Sequence, residues 1–176
     1  QASQARPDDP EIHNALRRAS AALGQGNNSD TKAPIEPVPL PGELAKAIDA
    51  ATLPAGMREG QPAVYLSRAI GYRLNKDQPQ RRTIYRRIHV LNRAGVEAFS
   101  SMEYPFDPLS ERIFVNGLDI RDHSGGVVSS GIVDDAFVRD AGTNMATHDK
   151  VLVVPISGLR PGGIIIAIHQ NLYPFF

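Results

Sequence analysis

From Thr83 to Val128 the chain spells strand, turn and strand again, and this stretch limits the fold more than any other. Thr83 to Leu91 alternates apolar and polar residues, burying Ile84, Ile88 and Val90 on one side. Arg93-Ala94-Gly95 reads as a turn that reverses a hairpin. Val96 to Tyr104 then reads as a strand, with Val96, Ala98, Met102 and Tyr104 on one face. A corner follows at Tyr104-Pro105-Phe106-Asp107-Pro108, then a strand from Ile113 to Arg121 and a turn at His123-Ser124-Gly125-Gly126. Period-two alternation between Gly, Pro, Asp and Ser clusters is the pattern of half-buried strands joined by tight turns.

The same grammar extends to both sides. From Ala63, the residues Val64, Leu66, Ile70, Tyr72 and Leu74 recur at every second position, and Arg68 is the one charged residue in the row. This predicts a long strand with its even-numbered side buried. A strand is predicted for Val127 to Val133, while Asp134 to Lys150 is too irregular to assign. Val151 to Ile156 and Ile164 to Ile168 are continuous apolar runs, as expected of strands covered on both faces. About eight short strands, with turn signals roughly every 8–12 residues, predict a mostly β protein, an antiparallel β-sandwich.

Helical spacing is confined to the start. Ile12, Ala15, Leu16, Ala19 and Leu23 share one face behind an Asp8-Asp9-Pro10-Glu11 opening, and Gly24 supplies a stop. Gly24 to Pro41 is rich in Gly, Asn, Ser and Pro and reads as a linker. A second, short helix is predicted from Glu43 to Ala51. The expected organisation is therefore residues 1–41 as N-terminal helix and Pro/Gly-rich linker, followed by residues 42–176 as the sandwich domain.

Composition removes several function classes. With no cysteine, thiolate catalysis, disulfides and Cys-based zinc sites are all excluded. Lys plus Arg equals Asp plus Glu at 19 each, so net charge offers no long-range attraction for nucleic acid. No apolar run approaches the roughly 20 residues of a membrane-spanning helix. No cofactor is expected.

Local constellations favour structure over chemistry. Asp122-His123-Ser124 has triad residue types, but consecutive strand residues point to alternate sides, so the three cannot converge on one another. A turn fits better, with Asp and Ser bonding nearby backbone and Gly taking positive φ. Asp134, Asp135 and Asp140 lack the alternating spacing of a calcium loop. The five histidines show neither HxH nor HExxH spacing. What remains is a basic concentration in which Arg82 and Arg86 share one strand face while Arg81, Arg87 and Arg93 take the other. Glu97, Glu103 and Glu111 are the nearby carboxylates that could neutralise it. The candidate interaction patch is Arg82, Arg86, Arg87 and Arg93 with Asp134 and Asp135.

Four motifs in order carry a resemblance. Arg86 to Glu97 (RRIHVLNRAGVE), Phe106-Asp107-Pro108 with Leu109-Ser110-Glu111, Ile120 to Val127 (IRDHSGGV) and Leu159-Arg160-Pro161-Gly162-Gly163 resemble, over about Ala63 to Phe176, a bacterial domain of unknown function that precedes transglutaminase-like cores. The chain departs from that pattern at Gly163-Ile164-Ile165-Ile166, where the family usually has an acidic residue and a polar-alternating strand. Residues 8–26 also resemble the first helix of a tetratricopeptide-type unit, about half of one repeat. The resemblance implies a non-catalytic accessory or interaction sandwich of an exported or envelope-associated bacterial protein. Its implied partner is an adjacent transglutaminase-like domain or another protein, and any Cys-His-Asp core would lie outside this chain. The alternative is an independent small hydrolase or carbohydrate-binding sandwich. Against it stand an aromatic content of 6% and the absence of Trp, because sugar platforms are built on aromatic faces.

Overall fold

The computed structural model describes residues 36–57, 60–76, 78–130, 135–142 and 148–173. The helix read at the N-terminus, most of the linker, Asp134 and the last three residues lie outside them. Eight strands are found among the described residues: β1 (Ala63–Arg73), β2 (Gln80–Val90), β3 (Ser101–Phe106), β4 (Arg112–Arg121), β5 (Val127–Ser130), β6 (Phe137–Asp140), β7 (Lys150–Pro155) and β8 (Ile164–Tyr173). Two short helices accompany them, α1 (Gly42–Ala50) and α2 (Arg93–Ala98). The strands form a five-stranded sheet in the order β1-β2-β8-β4-β5 and a three-stranded sheet in the order β3-β7-β6, with every pairing antiparallel. The mostly β, sandwich-like architecture is the one expected.

The two sheets meet through alternate residues. Ile88 and Val90 of β2, Ile113, Val115, Leu118 and Ile120 of β4, and Ile165 and Ala167 of β8 point from the large sheet toward Met102, Tyr104, Leu152 and Val154 of the small one. Ile88, Val90, Val154 and Ile165 are fully buried, and each such side chain contributes about 1.5–3 kcal/mol by leaving water. The two continuous apolar runs are indeed central: β8 sits between β2 and β4, and β7 between β3 and β6.

Two expectations are corrected, and one segment left unassigned is resolved. Arg93-Ala94-Gly95 is not a hairpin turn but the first turn of α2, whose N-terminus is capped by the Asn92 side chain accepting from the Gly95 N–H at 3.1 Å. Val96 and Ala98 are therefore helical, and the strand begins only at Ser101. The helix carries the chain from the large sheet to the small one, so β2 and β3 never pair. Gly95 is needed there because a Cβ would overlap the Pro62 carbonyl and crowd Val90. The irregular segment after Asp134 contains a strand, β6, that forms an edge of the small sheet.

Second, the even-numbered side of β1 is not buried. A register shift between Tyr65 and Ser67 moves one residue out of step. Beyond it Ala69 and Gly71 pack on the outer side, while Ile70, Tyr72 and Leu74 are exposed. The outer side is covered by the segment around Val38. Its N–H donates to Thr83 Oγ1 at 3.0 Å, its carbonyl accepts from the Tyr85 hydroxyl at 2.7 Å, and its side chain comes within 3.2 Å of where a Cβ on Gly71 would sit. Arg81 and Arg87 extend the clasp by donating to the carbonyls of Glu36 and Asp49.

Candidate functional site

The small sheet roofs only part of the large one. Tyr104 of β3 packs its ring on His169 of β8, with centroids 4.4 Å apart, and the Arg86 guanidinium of β2 lies 5.8 Å from the same ring. β3 therefore lies over β2 and β8. The inner side of β1, one strand further out, is left without a roof among the described residues. Tyr65, Ile70 and Tyr72 are 53%, 40% and 59% exposed there, although they stand opposite Ile88, Ile84 and Arg82 on the core-facing side of β2. Arg68 stands directly opposite Arg86 in the same row. Antiparallel pairing thus brings Arg68, Arg82 and Arg86 onto one face, interleaved with Tyr65, Ile70 and Tyr72.

Two of these guanidinium groups have no carboxylate partner among the described residues, Arg68 and Arg86. The third is spoken for: Arg82 donates to Asn171 Oδ1 at 3.2 Å and lies 5.7 Å from the Tyr173 ring. Asn171 in turn donates to Glu111 Oε2 at 2.7 Å, and the other Glu111 oxygen accepts from the Asp107 N–H. Glu111 is thereby held by the β3–β4 corner. Burial pushes the Tyr173 hydroxyl up, and the Glu111 carboxylate adds to the shift.

Around these side chains lie buried polar atoms without hydrogen-bond partners among the described residues. The Tyr104 hydroxyl, His169 Nδ1 and Arg82 Nε are all buried and unpaired. Burial raises the Tyr104 hydroxyl well above the ordinary phenol value, opposed only in part by Arg86. His169 is pushed down to about 3, first by burial and then by Arg86, Arg82 and Arg68. A histidine this depressed stays neutral at neutral pH and is too weak a base for proton transfer there. Burial is the larger cause of its shift, and the three guanidinium groups add to it by opposing a fourth positive charge. Such an arrangement can accept an anion or a row of hydrogen-bond acceptors.

The residues singled out from sequence separate in space. Arg82 and Arg86 share the inner face, as their spacing implied. Arg87 is on the outer face, donating to the Asp49 carbonyl at 2.6 Å. Arg93 belongs to α2 and pairs with Glu97 at 3.1 Å in water. Asp135 is exposed in the connection between β5 and β6, and Asp134 is outside the described residues. Glu103 pairs with Arg139 at 2.8 Å rather than with the β2 arginines. Arg68 is the member that sequence alone did not place in the patch. Its signal is its position, the one charge in an apolar alternation.

Asp122-His123-Ser124 forms the turn expected of it. Asp122 Oδ1 accepts from Ser124 N–H at 2.8 Å, from Ser124 Oγ at 2.6 Å and from Gly126 N–H at 2.9 Å, and these bonds hold its carboxyl below the usual range. Asp140 accepts from Lys150 at 2.5 Å across the β6–β7 pair. Among the described residues no three His, Asp or Glu side chains gather as a metal site.

Fold and site together define an antiparallel β-sandwich domain with a cationic and aromatic face where its smaller sheet ends. Residues 76–167, more than half of the chain, match DUF3857, a domain of unknown function with solved structure, and the chain belongs to that family. No curated protein matches it. A crystal structure of a candidate protease from Parabacteroides distasonis ATCC 8503 has the same fold over 64% of this chain, with a TM-score of 0.55 and 14% identity. The chain spans 23% of that longer protein.

Proposed function

We propose that this chain is a non-catalytic interaction domain, accessory to a transglutaminase-like or peptidase-like core in a bacterial exported or envelope protein. The observation that carries the reading is the unroofed inner face of β1, with exposed Tyr65, Ile70 and Tyr72 beside Arg68 and Arg86. A sheet face that is apolar in sequence pattern, yet left open and cationic, serves contact with something else better than it serves the core. An accessory role is supported by the similar fold forming under a quarter of a longer candidate protease. The tie to a transglutaminase-like core rests on the order of the four sequence motifs between Arg86 and Gly163.

Two measurements test the two parts. The purified chain is expected to show no turnover of labelled casein and no glutamine–lysine transamidation; activity that co-purifies with the folded chain would overturn the non-catalytic reading. In the coding region beyond Phe176, an in-frame core with Cys, His and Asp supports the association. A stop codon directly after Phe176 would count against it.

A further inference from the structure

We propose that the open inner face of β1 and β2, alongside β3, binds an extended acidic peptide segment of a partner protein, with its carboxylates on Arg68 and Arg86 and its apolar side chains on Ile70 and Tyr72. This deepens the interaction-domain reading and rests on it. Four observations converge on this occupant.

The first is shape. The area left uncovered by the described residues is one strand wide, about 4.8 Å of sheet, and runs along an 11-residue strand. A single extended segment has that width, whereas a helix about 10 Å across does not. The second is periodicity. Arg68, Ile70 and Tyr72 recur at every second residue, about 6.8 Å apart, which is the spacing of alternate side chains on an extended partner. The third is charge. Arg68 and Arg86 face each other across the β1–β2 pair without a described carboxylate, and Glu111, on the same side, is committed to Asn171 and the Asp107 N–H.

The fourth is what Arg86 meets within the molecule. The Tyr104 ring lies 5.8 Å from the Arg86 guanidinium, so among the described residues Arg86 faces an aromatic ring and no carboxylate. The depressed titration of His169 agrees with the excess of positive charge at this end of the sandwich. Nucleic acid is the weaker fit, because the charge is confined to one row and the chain as a whole is neutral.

The test uses the intact chain and fluorescence anisotropy with a labelled peptide that alternates Glu with Val. Micromolar binding is expected, falling at least tenfold between 50 and 300 mM salt, with a Gln-for-Glu peptide binding at least tenfold more weakly. Arg68→Gln, an exposed substitution, should weaken the Glu peptide about tenfold, and Tyr72→Ala should weaken both peptides. Arg93→Gln and Arg139→Gln should leave binding unchanged. Circular dichroism melts of each variant separate loss of binding from loss of fold. Equal affinity for the Glu and Gln peptides would overturn the proposal. So would unchanged binding by a folded Arg68→Gln variant, complete competition by inorganic phosphate at the peptide's own concentration, or tighter binding of a single-stranded oligonucleotide. Any of these outcomes without turnover leaves the non-catalytic reading standing, whereas turnover by the chain alone removes that reading whatever the peptides do.

Discussion

At the scale of single residues, His169 is a buried imidazole whose proton affinity is lowered by burial and by neighbouring charge. It is 3% exposed, packed at a tilt against Tyr104, and held neutral by burial and by Arg86, Arg82 and Arg68. The sign of the resulting pH dependence comes from proton counting. In the unfolded chain an imidazole takes up its proton near pH 6.5, while the folded one does so only near 3. Between those values the unfolded state binds the extra proton, so stability is complete above 6.5 and declines as pH falls toward 3. The expected slope from this residue is at most about 1.4 kcal/mol per pH unit. Urea unfolding of the native chain and of His169→Gln, measured from pH 7 to pH 4, should give a shallower decline for the variant. Parallel curves would show that His169 does not carry the decline. The field acting on it is not legible in sequence. His169 and Arg82 are 87 positions apart, and only the pairing of β2 with β8 makes them neighbours.

At the scale of elements, α2 decides how the sheets are connected. A turn at Arg93-Ala94-Gly95 would have closed a hairpin and kept β2 and β3 in one sheet. Instead Asn92 adopts an extended conformation, caps the Gly95 N–H, and donates through its amide to the Gln61 carbonyl at 3.0 Å. Leu91 N–H meanwhile donates to the Pro62 carbonyl at 2.9 Å, which ties the start of β1 to the same junction. Asn92→Ala removes both side-chain bonds and is expected to destabilise the protein by about 1 kcal/mol, within the usual range for a lost N-cap. A thermal melt lowered by several degrees, with an unchanged far-ultraviolet spectrum at 25 °C, is the expected result. An unchanged melting temperature would mean that the cap is not what holds the helix. The Asn and the Gly are plain in the sequence, but a cap and a turn use the same residue types and differ only in the path of the residues beyond them. The expected burial of β1 fails for a related reason. Its alternation does have period two, but the shift at Tyr65/Ser67 and the narrow roof both depend on strands distant in sequence. Strand positions within β2, β4, β7 and β8 are legible because their apolar residues are in contact with the core itself.

At the scale of the whole molecule, the sandwich is organised around a strand near the end of the chain. β8 is central in the large sheet, pairing β2 along ten residues on one side and β4 on the other, with one register shift, on the β4 side. Its two partners are also joined to the small sheet, β2 through α2 and β4 through the Asp107 corner, where Asp107 Oδ1 accepts from Leu109 N–H at 2.9 Å and Oδ2 from Ser110 Oγ at 2.9 Å. The large sheet therefore cannot close until residues beyond 160 are in place. Pairings of such high sequence separation must offset loop-closure entropy before they stabilise anything. Local opening should respect the same hierarchy, since an amide exchanges through the least costly opening that exposes it. Amides of Ile165, Ala167 and His169 have a partner strand on each side and lie against the core. They are expected to exchange only by global unfolding, with protection that tracks stability as urea is added. Amides of Val138 and Ser129, on short edge strands of four residues each, are expected to exchange by local opening, faster and with little urea dependence. Hydrogen exchange read by NMR distinguishes the two regimes residue by residue. If β6 and β5 were as protected as β8, the molecule would open as one cooperative unit, and the edges of the two sheets would be held by more than the single ladders that join them to β7 and β4.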